Sequence, residues 1–181
     1  MCIRDSIYSY VGNGAPVLVR RALGPEPSEA EAARALDFFI RYYVQHCLDN
    51  TTLYPGVRNA LERLRGAGLQ MAVLTNKPVR ISNDIVRRLG VAECFFRVYG
   101  GNSFEQKKPH PAGIEALLQE SGLSRAETVM VGDSAVDILT ARNASVRACG
   151  VTYGFQPETF QAEPPDFLVD NMEQLADHVL G

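Results

Sequence analysis

The sequence lacks the features that mark membrane, nucleic-acid-binding and disulfide-rich proteins. No apolar run approaches the roughly 18 residues of a membrane span, and no hydrophobic signal segment follows MCIRDS. Lys and Arg form no basic stripe and the formal net charge is −3, so nucleic acid is not an expected partner. The four cysteines include no CxxC pair, which argues against a zinc site or a disulfide framework. A globular protein of the reducing cytoplasm is therefore expected.

Two patterns follow one another along the 181 residues, 46% of which are hydrophobic. Residues from Asn13 to about Asn50 have a helical pattern, in which Ser28 and Glu31 are spaced for a capping box. Residues 53–181 alternate apolar strands with helices, which predicts parallel βαβ units and a doubly wound sheet. We expect an α/β core at 53–181 that carries a partial helical cap at 1–52.

In a doubly wound sheet the ligand site lies at the C-terminal ends of the strands. Thr75 and Asn76 end the strand LQMAVLT, where a hydroxyl and N–H groups at a helix start could bind an anion, although either residue could be an ordinary N-cap. Lys108, held by Pro109 in a non-helical loop, could neutralise a phosphate or carboxylate, or it could simply be exposed. We interpret His110 as a residue of that loop.

Asp133 and Asp137 stand at the start of the helix that follows the strand TVMVG. The helix dipole favours a carboxylate there by about 0.3–1 kcal/mol, and like charges four residues apart lose about 0.2–0.5 kcal/mol, so stability does not decide their role. One or two carboxylates with phosphate oxygens suit Mg²⁺, while N-capping is the alternative. The succession of Thr75, Lys108 and Asp133 at strand ends favours a site for a phosphoryl group and its metal.

Several stretches carry a family resemblance. LTNKP, KKPHP and VGDSAVD resemble motifs II, III and IV of the haloacid dehalogenase-like (HAD) hydrolase superfamily, in order and spacing. YVGNGAPVLVRRALG and VTYGF are similar to its phosphoglycolate phosphatase-like branch. The resemblance implies a Rossmann-like parallel sheet and a Mg²⁺-dependent phosphatase of a small phosphomonoester, with 2-phosphoglycolate as the leading substrate. It also implies an aspartyl-phosphate intermediate in the intact parent.

The resemblance implies roles for individual residues. Thr75 and the Asn76 backbone would bind the transferring phosphoryl group, and Lys108 would neutralise the nucleophile and the phosphate. Asp133 would bind Mg²⁺, directly or through water. Asp137 would support the metal site or orient Lys108.

Three further positions bear on the resemblance. Asn13 lies in a cap loop that in relatives can reach over the active site, so it is either a substrate contact or a helix N-cap. Asn102 stands where relatives often have Asp, and Ser145 stands where Gly usually ends the motif IV helix. Both departures concern loop fit more than chemistry.

The family's motif I, Asp-x-Asp-Gly-Thr, is absent from this sequence. That motif supplies the nucleophile and the acid/base on the first strand, and Asp5 has neither an apolar strand before it nor a second Asp two positions on. We therefore expect a sheet without its first strand, leaving either a gap or a substitute strand from the N-terminus. We also expect a truncated chain that enters the fold inside the cap at about Ile7, with little or no activity.

Other functions remain open on the sequence. Pyrophosphatases, sugar-phosphate phosphatases and mutases of the same superfamily share these motifs, and a non-catalytic phosphate-binding relative would retain them. A phosphorelay receiver domain is disfavoured because its acidic pair would precede its lysine, whereas here Asp133 follows Lys108.

Overall fold

The computed structural model describes residues 10–181. Within this range the regular elements up to Gly66 are all helices, and strands alternate with helices from Ala72 onward. The elements are α1 (Ala15–Leu23), α2 (Glu29–His46), α3 (Val57–Gly66), β1 (Ala72–Leu74), α4 (Val79–Arg88), β2 (Arg97–Tyr99), α5 (Ala112–Ser121), β3 (Val129–Gly132), α6 (Ala135–Asn143), β4 (Arg147–Val151), β5 (Phe167–Val169) and α7 (Met172–Leu180). None of the helices in this range is long and apolar enough to cross a membrane.

The five strands form two sheets, β1–β2 and β3–β4–β5, and the strands within each sheet are parallel. Within residues 10–181 no ladder of hydrogen bonds joins β1 to β3. The break between the two sheets agrees with a gap, one of the two alternatives that the sequence predicts for a sheet without its first strand. The other alternative, a substitute strand from the N-terminus, concerns residues 1–9, which lie outside the described residues together with Asp5 and Ile7.

A shared apolar cluster holds the two sheets beside each other. Leu74 of β1 and Met130 of β3 both pack against a cluster that includes Ile114 and Ile138, which are 3% and 0% exposed. Each fully buried side chain of this size contributes about 1.5–3 kcal/mol. The loops after β1 and β3 are both linked to Lys108, because Asn76 Nδ2 donates to Lys108 O and Lys108 Nζ pairs with Asp137.

The N-terminal helices pack on each other and are fastened to the loop after β1. The predicted capping box at the start of α2 is confirmed, since Glu31 N–H donates to Ser28 Oγ at 3.3 Å and Ser28 N–H donates to Glu31 Oε2 at 3.0 Å. Lys77 Nζ donates to the Tyr43 hydroxyl at 2.6 Å and so ties α2 to the core. The predicted domain boundary at residue 52 falls in the connection between α2 and α3.

Ser145 is a non-glycine residue in the left-handed region, with φ 55°. A side chain there costs about 1–2 kcal/mol, and glycine loses about 0.5–1 kcal/mol more backbone entropy on folding. We expect Ser145→Gly to raise the free energy of unfolding by about 0.5–1 kcal/mol, measured by urea denaturation. Ser145→Ala is the control, because it keeps the Cβ and should bring no gain. If the glycine variant were less stable than the parent, the inference that the backbone of Ser145 is strained would be wrong.

Candidate active site

The loop after β1 places Thr75 at the strand end. Thr75 N–H donates to Tyr99 O at 3.0 Å, and the Thr75 hydroxyl oxygen accepts from Lys77 N–H at 3.2 Å. The hydroxyl proton has no acceptor within residues 10–181 and can donate to a ligand oxygen. Gly101 allows the close approach that fixes this loop, because a Cβ at Gly101 would lie 2.3 Å from the Asn76 carbonyl oxygen.

The Asn76 side chain joins the cap loop to the Lys108 loop. Asn76 is 8% exposed, and its Nδ2 donates to Gly12 O at 2.9 Å and to Lys108 O at 3.1 Å. Its Oδ1 is buried and has no partner in the part of the chain that the structure describes. The sequence predicted ligand binding by the Asn76 backbone or N-capping by its side chain, but not these two contacts, because contacts across 64 and 32 positions leave no local pattern.

Lys108 is held by a buried ion pair. Its Nζ lies 2.5 Å from Asp137 Oδ1, and the two side chains are 11% and 7% exposed. The other oxygen, Oδ2, accepts from Ser134 Oγ at 2.9 Å and from Asp133 N–H at 3.2 Å. Because both carboxylate oxygens of Asp137 are engaged, the geometry favours the orientation of Lys108 over direct metal binding.

Asp133 is oriented by the loop after β4. Its Oδ2 accepts from Phe155 N–H at 2.8 Å, and a Cβ at Gly154 would lie only 2.1 Å from the Asp133 Cβ. Its Oδ1 has no partner from Tyr10 onward and remains available. The stretch VTYGF carried the family resemblance, but its contact with Asp133 spans 22 positions and was not predicted.

The side chains at this site could hold a metal ion only if the substrate and water supplied most of its ligands. No group of three or more His, Cys, Asp or Glu residues within 10–181 could hold a metal ion by itself. Mg²⁺ is commonly bound through one or two carboxylates plus phosphate oxygens and waters. Asp133 Oδ1 can provide that one carboxylate oxygen, whereas Asp137 already binds Lys108.

Asn13 contacts Arg21 instead of capping a helix. The N-cap of α1 is Gly14, with φ 88° in a region that favours glycine. With its amide turned so that Oδ1 faces Arg21, Asn13 accepts from Arg21 Nη2 at 3.2 Å and from Nη1 at 3.3 Å. Both residues line a cleft of about 1030 Å³ that also borders the loop containing Lys108.

Two polar residues near the site cap helices. His110 Nδ1 accepts from Ala112 N–H at 3.2 Å at the start of α5, which agrees with its interpretation as a loop residue. Asn102 Oδ1 accepts from Val79 N–H at 2.9 Å at the start of α4. Asn102 thus serves loop fit, as its departure from the family pattern suggests.

Two titratable groups behind the site are kept neutral by burial. Burial raises the pKa of the Cys149 thiol to about 11, so it is not a thiolate at neutral pH and does not act as a nucleophile. Burial is also the main cause that raises the pKa of Tyr153, and charges at Cys149, Tyr54 and Asp133 add to the effect. Neither group competes with Asp133 for a cation.

Comparison with known proteins defines the class. The model of the haloacid dehalogenase-like hydrolase family matches residues 3–151, most of the chain. The chain therefore belongs to the haloacid dehalogenase-like hydrolases, as the resemblance of its motifs predicts. Their parallel α/β fold agrees with the architecture described above.

Within this family the chain is similar to proteins named phosphoglycolate phosphatase. It is 40% identical to the one from Vibrio vulnificus (strain YJ016), over 96% of this chain and 79% of that protein. It is 36% identical to the one from Pseudomonas fluorescens (strain Pf0-1), over 94% of this chain and 65% of that protein. A crystal structure of a predicted phosphoglycolate phosphatase from Haemophilus somnus 129pt superposes with a TM-score of 0.90 at 31% identity, covering 98% of this chain and 83% of that one.

Proposed function

We propose that this chain carries the phosphate site of a Mg²⁺-dependent phosphatase whose substrate is a small phosphomonoester, 2-phosphoglycolate. The observation that carries the proposal is the buried Lys108–Asp137 pair, which is joined to the loop after β1 through Asn76 Nδ2 and to the Asp133 N–H through Asp137 Oδ2. An ammonium group fixed in a buried position is suited to neutralise a phosphoryl group. The relatives named phosphoglycolate phosphatase support the choice of substrate.

Each residue has a defined task in this proposal. Thr75 donates a hydrogen bond from its hydroxyl group to a phosphoryl oxygen. Lys108 neutralises the charge of the phosphate, and Asp137 holds Lys108 in place. Asp133 offers Oδ1 to the cation, with Oδ2 fixed by the Phe155 N–H. When bound, Mg²⁺ supplies charge stabilisation at the phosphoryl oxygens.

The chain as written is expected to bind substrate without turning it over. Where motif I is present, its aspartate would attack phosphorus with loss of the alcohol, and water would then hydrolyse the aspartyl-phosphate. The sequence contains no Asp-x-Asp-Gly-Thr stretch. Hydrolysis of phosphate monoesters needs accelerations up to about 10²¹-fold, which positioning and a cation alone do not provide.

Calorimetric titration tests the binding part of the proposal. We expect 2-phosphoglycolate to bind at least about tenfold more tightly with Mg²⁺ than without it, because Asp133 and the phosphate share the cation. Asp133→Asn should abolish this dependence on Mg²⁺. The control is Asp37→Asn, at an exposed position on α2, which should leave it unchanged. Equal affinity with and without Mg²⁺ in the parent chain would contradict the metal site.

A test of substrate preference requires a protein that hydrolyses its substrate. A fusion that adds an upstream strand with Asp-x-Asp-Gly-Thr to this chain should release phosphate from 2-phosphoglycolate in preference to hexose phosphates and pyrophosphate. Preference for a hexose phosphate would favour the sugar-phosphate alternative instead. A fully folded fusion that binds but never turns over would favour a non-catalytic relative.

A further inference from the structure

Lysine is confined to the loops at the strand ends. Of the 18 Lys and Arg residues in the chain, only Lys77, Lys107 and Lys108 are lysines, and they lie in the loops after β1 and β2. Lys108 is buried and paired with Asp137, and Lys107 is exposed. Lys77 differs from both, because it is half-buried and no carboxylate within residues 10–181 pairs with it. Its ammonium group loses hydration without the compensation of an ion pair.

The backbone of Lys77 is fixed at the strand ends. Its N–H donates to the Thr75 hydroxyl oxygen at 3.2 Å, and its carbonyl oxygen accepts from Gly101 N–H at 2.8 Å. A Cβ at Gly100 would lie 2.6 Å from the same carbonyl oxygen, so this close approach requires glycine. From the loop that carries Thr75, the Lys77 side chain reaches Tyr43 of the cap helix α2. Lys77 therefore spans the junction of core and cap beside the proposed phosphate site.

The ammonium group of Lys77 contacts the hydroxyl end of the Tyr43 side chain. Lys77 Nζ lies 2.6 Å from the Tyr43 hydroxyl oxygen but 5.1 Å from the centroid of the ring, so the ring face does not cover it. The phenol oxygen accepts one hydrogen of the ammonium group, which carries further donors. In the part of the chain that the structure describes, the remaining ammonium hydrogens and the Tyr43 hydroxyl proton have no acceptor. Two adjacent groups, one from the core and one from the cap, can therefore donate to the same ligand.

We propose that Lys77 and Tyr43 form a second anion subsite, which binds the carboxylate of a phosphorylated acid whose phosphoryl group lies at Thr75 and Lys108. The inference rests on the proposed function and adds to it a reason for selecting a substrate with an anionic group at each end. Lys77 follows Thr75 by two positions, at most about 7 Å away at Cα, so the subsites suit a molecule with only a few atoms between its charges. Charge-assisted hydrogen bonds of this kind are among the stronger polar contacts.

A pair of phosphonates that the protein cannot hydrolyse tests the subsite. 3-Phosphonopropionate carries a carboxylate at the end of its chain, whereas propylphosphonate carries a methyl group there. In calorimetric titrations with Mg²⁺, we expect 3-phosphonopropionate to bind the chain about tenfold more tightly. Lys77→Met should remove most of that preference, and Tyr43→Phe should reduce it to about threefold. Both variants should leave the affinity for propylphosphonate unchanged.

The chain offers a matched control for each variant. Lys107→Met removes the same charge from the loop after β2, where Lys107 is exposed. Tyr42→Phe removes a hydroxyl group from the neighbouring position on α2, where Tyr42 is 57% exposed. Both controls should preserve the preference for 3-phosphonopropionate. Loss of the preference in Lys107→Met would instead place the carboxylate at Lys107 and overturn the subsite.

Equal binding of the two phosphonates by the parent chain would overturn the subsite while the proposed function stands. Weaker binding of propylphosphonate by Lys77→Met would also overturn it, because Lys77 would then act on the phosphoryl group. Tyr43→Phe keeps the ring and carries the test if Lys77→Met does not fold, and an unchanged preference in Tyr43→Phe would show that the pair does not bind the carboxylate. If neither phosphonate binds the parent chain, the proposed function fails and the subsite fails with it.

Discussion

Asp137→Asn should lower the free energy of unfolding by about 3 kcal/mol, because it leaves the Lys108 ammonium buried without its partner. The change keeps the size of the side chain and its contact with Ser134, so the loss reports mainly the missing charge. Urea denaturation of the parent and the variant measures it. Adding Lys108→Met to Asp137→Asn should recover part of the loss, since the unpaired charge is then gone.

The chain offers an exposed pair of the same length as a control. Asp37 Oδ2 lies 2.5 Å from Arg41 on α2, and these side chains are 64% and 72% exposed. Asp37→Asn should cost about 0.3–0.5 kcal/mol, because solvent screens the pair. If Asp137→Asn costs no more than Asp37→Asn, the buried pair does not fix Lys108, and the main support for the proposed phosphate site is lost.

Gly154→Ala should weaken Mg²⁺ binding in the presence of inorganic phosphate by about 10- to 100-fold, because residues that orient a metal ligand affect affinity on that scale. The new Cβ would lie 2.1 Å from the Asp133 Cβ, so Asp133 must move. Its hydrogen bond with Phe155 N–H would be disturbed as well. Calorimetry on the folded variant measures the affinity, and we expect overpacking to cost about 1–3 kcal/mol of stability.

Gly66→Ala is the control for Gly154→Ala. Gly66 ends α3, and a Cβ there has no heavy atom within 4 Å. This variant should bind Mg²⁺ like the parent and gain up to about 0.5–1 kcal/mol from the helix preference of alanine. Gly154→Ala with unchanged Mg²⁺ affinity would show that Asp133 does not bind the cation through the geometry proposed above.

The sequence predicts the elements of the core well where apolar periodicity is strong. The strand TVMVG appears as β3, within one residue of its predicted start, and the predicted helix after it appears as α6. The stretch LQMAVLT predicts a longer strand than β1, which spans only Ala72–Leu74. Within residues 10–181 β1 pairs with β2 alone. The length of β1 is therefore set by the three residues of β2 that pair with it, and not by the hydrophobicity of LQMAVLT.

The candidate site could be predicted only in part. The order of Thr75, Lys108 and Asp133 after successive strands can be read from the sequence. Their grouping could be predicted because parallel strands have their C-terminal ends on one side of a sheet. The contact of Asn13 with Arg21 and the contact of Gly154 with Asp133 depend on loops brought together in space. No spacing or composition signal marks them.

The side-chain amide nitrogen of Asn76 connects the cap loop to the loop that contains Lys108. Nδ2 donates one hydrogen to Gly12 O and the other to Lys108 O. If the cap loop moves away, the hydrogen bond to Gly12 O breaks, and the same amide group also holds the backbone of Lys108. The position of the cap loop and the position of Lys108 are therefore thermodynamically linked. A ligand that binds more tightly when the cap loop is in place therefore also favours the described position of Lys108. A ligand that fixes Lys108 favours the described position of the cap loop by the same coupling free energy.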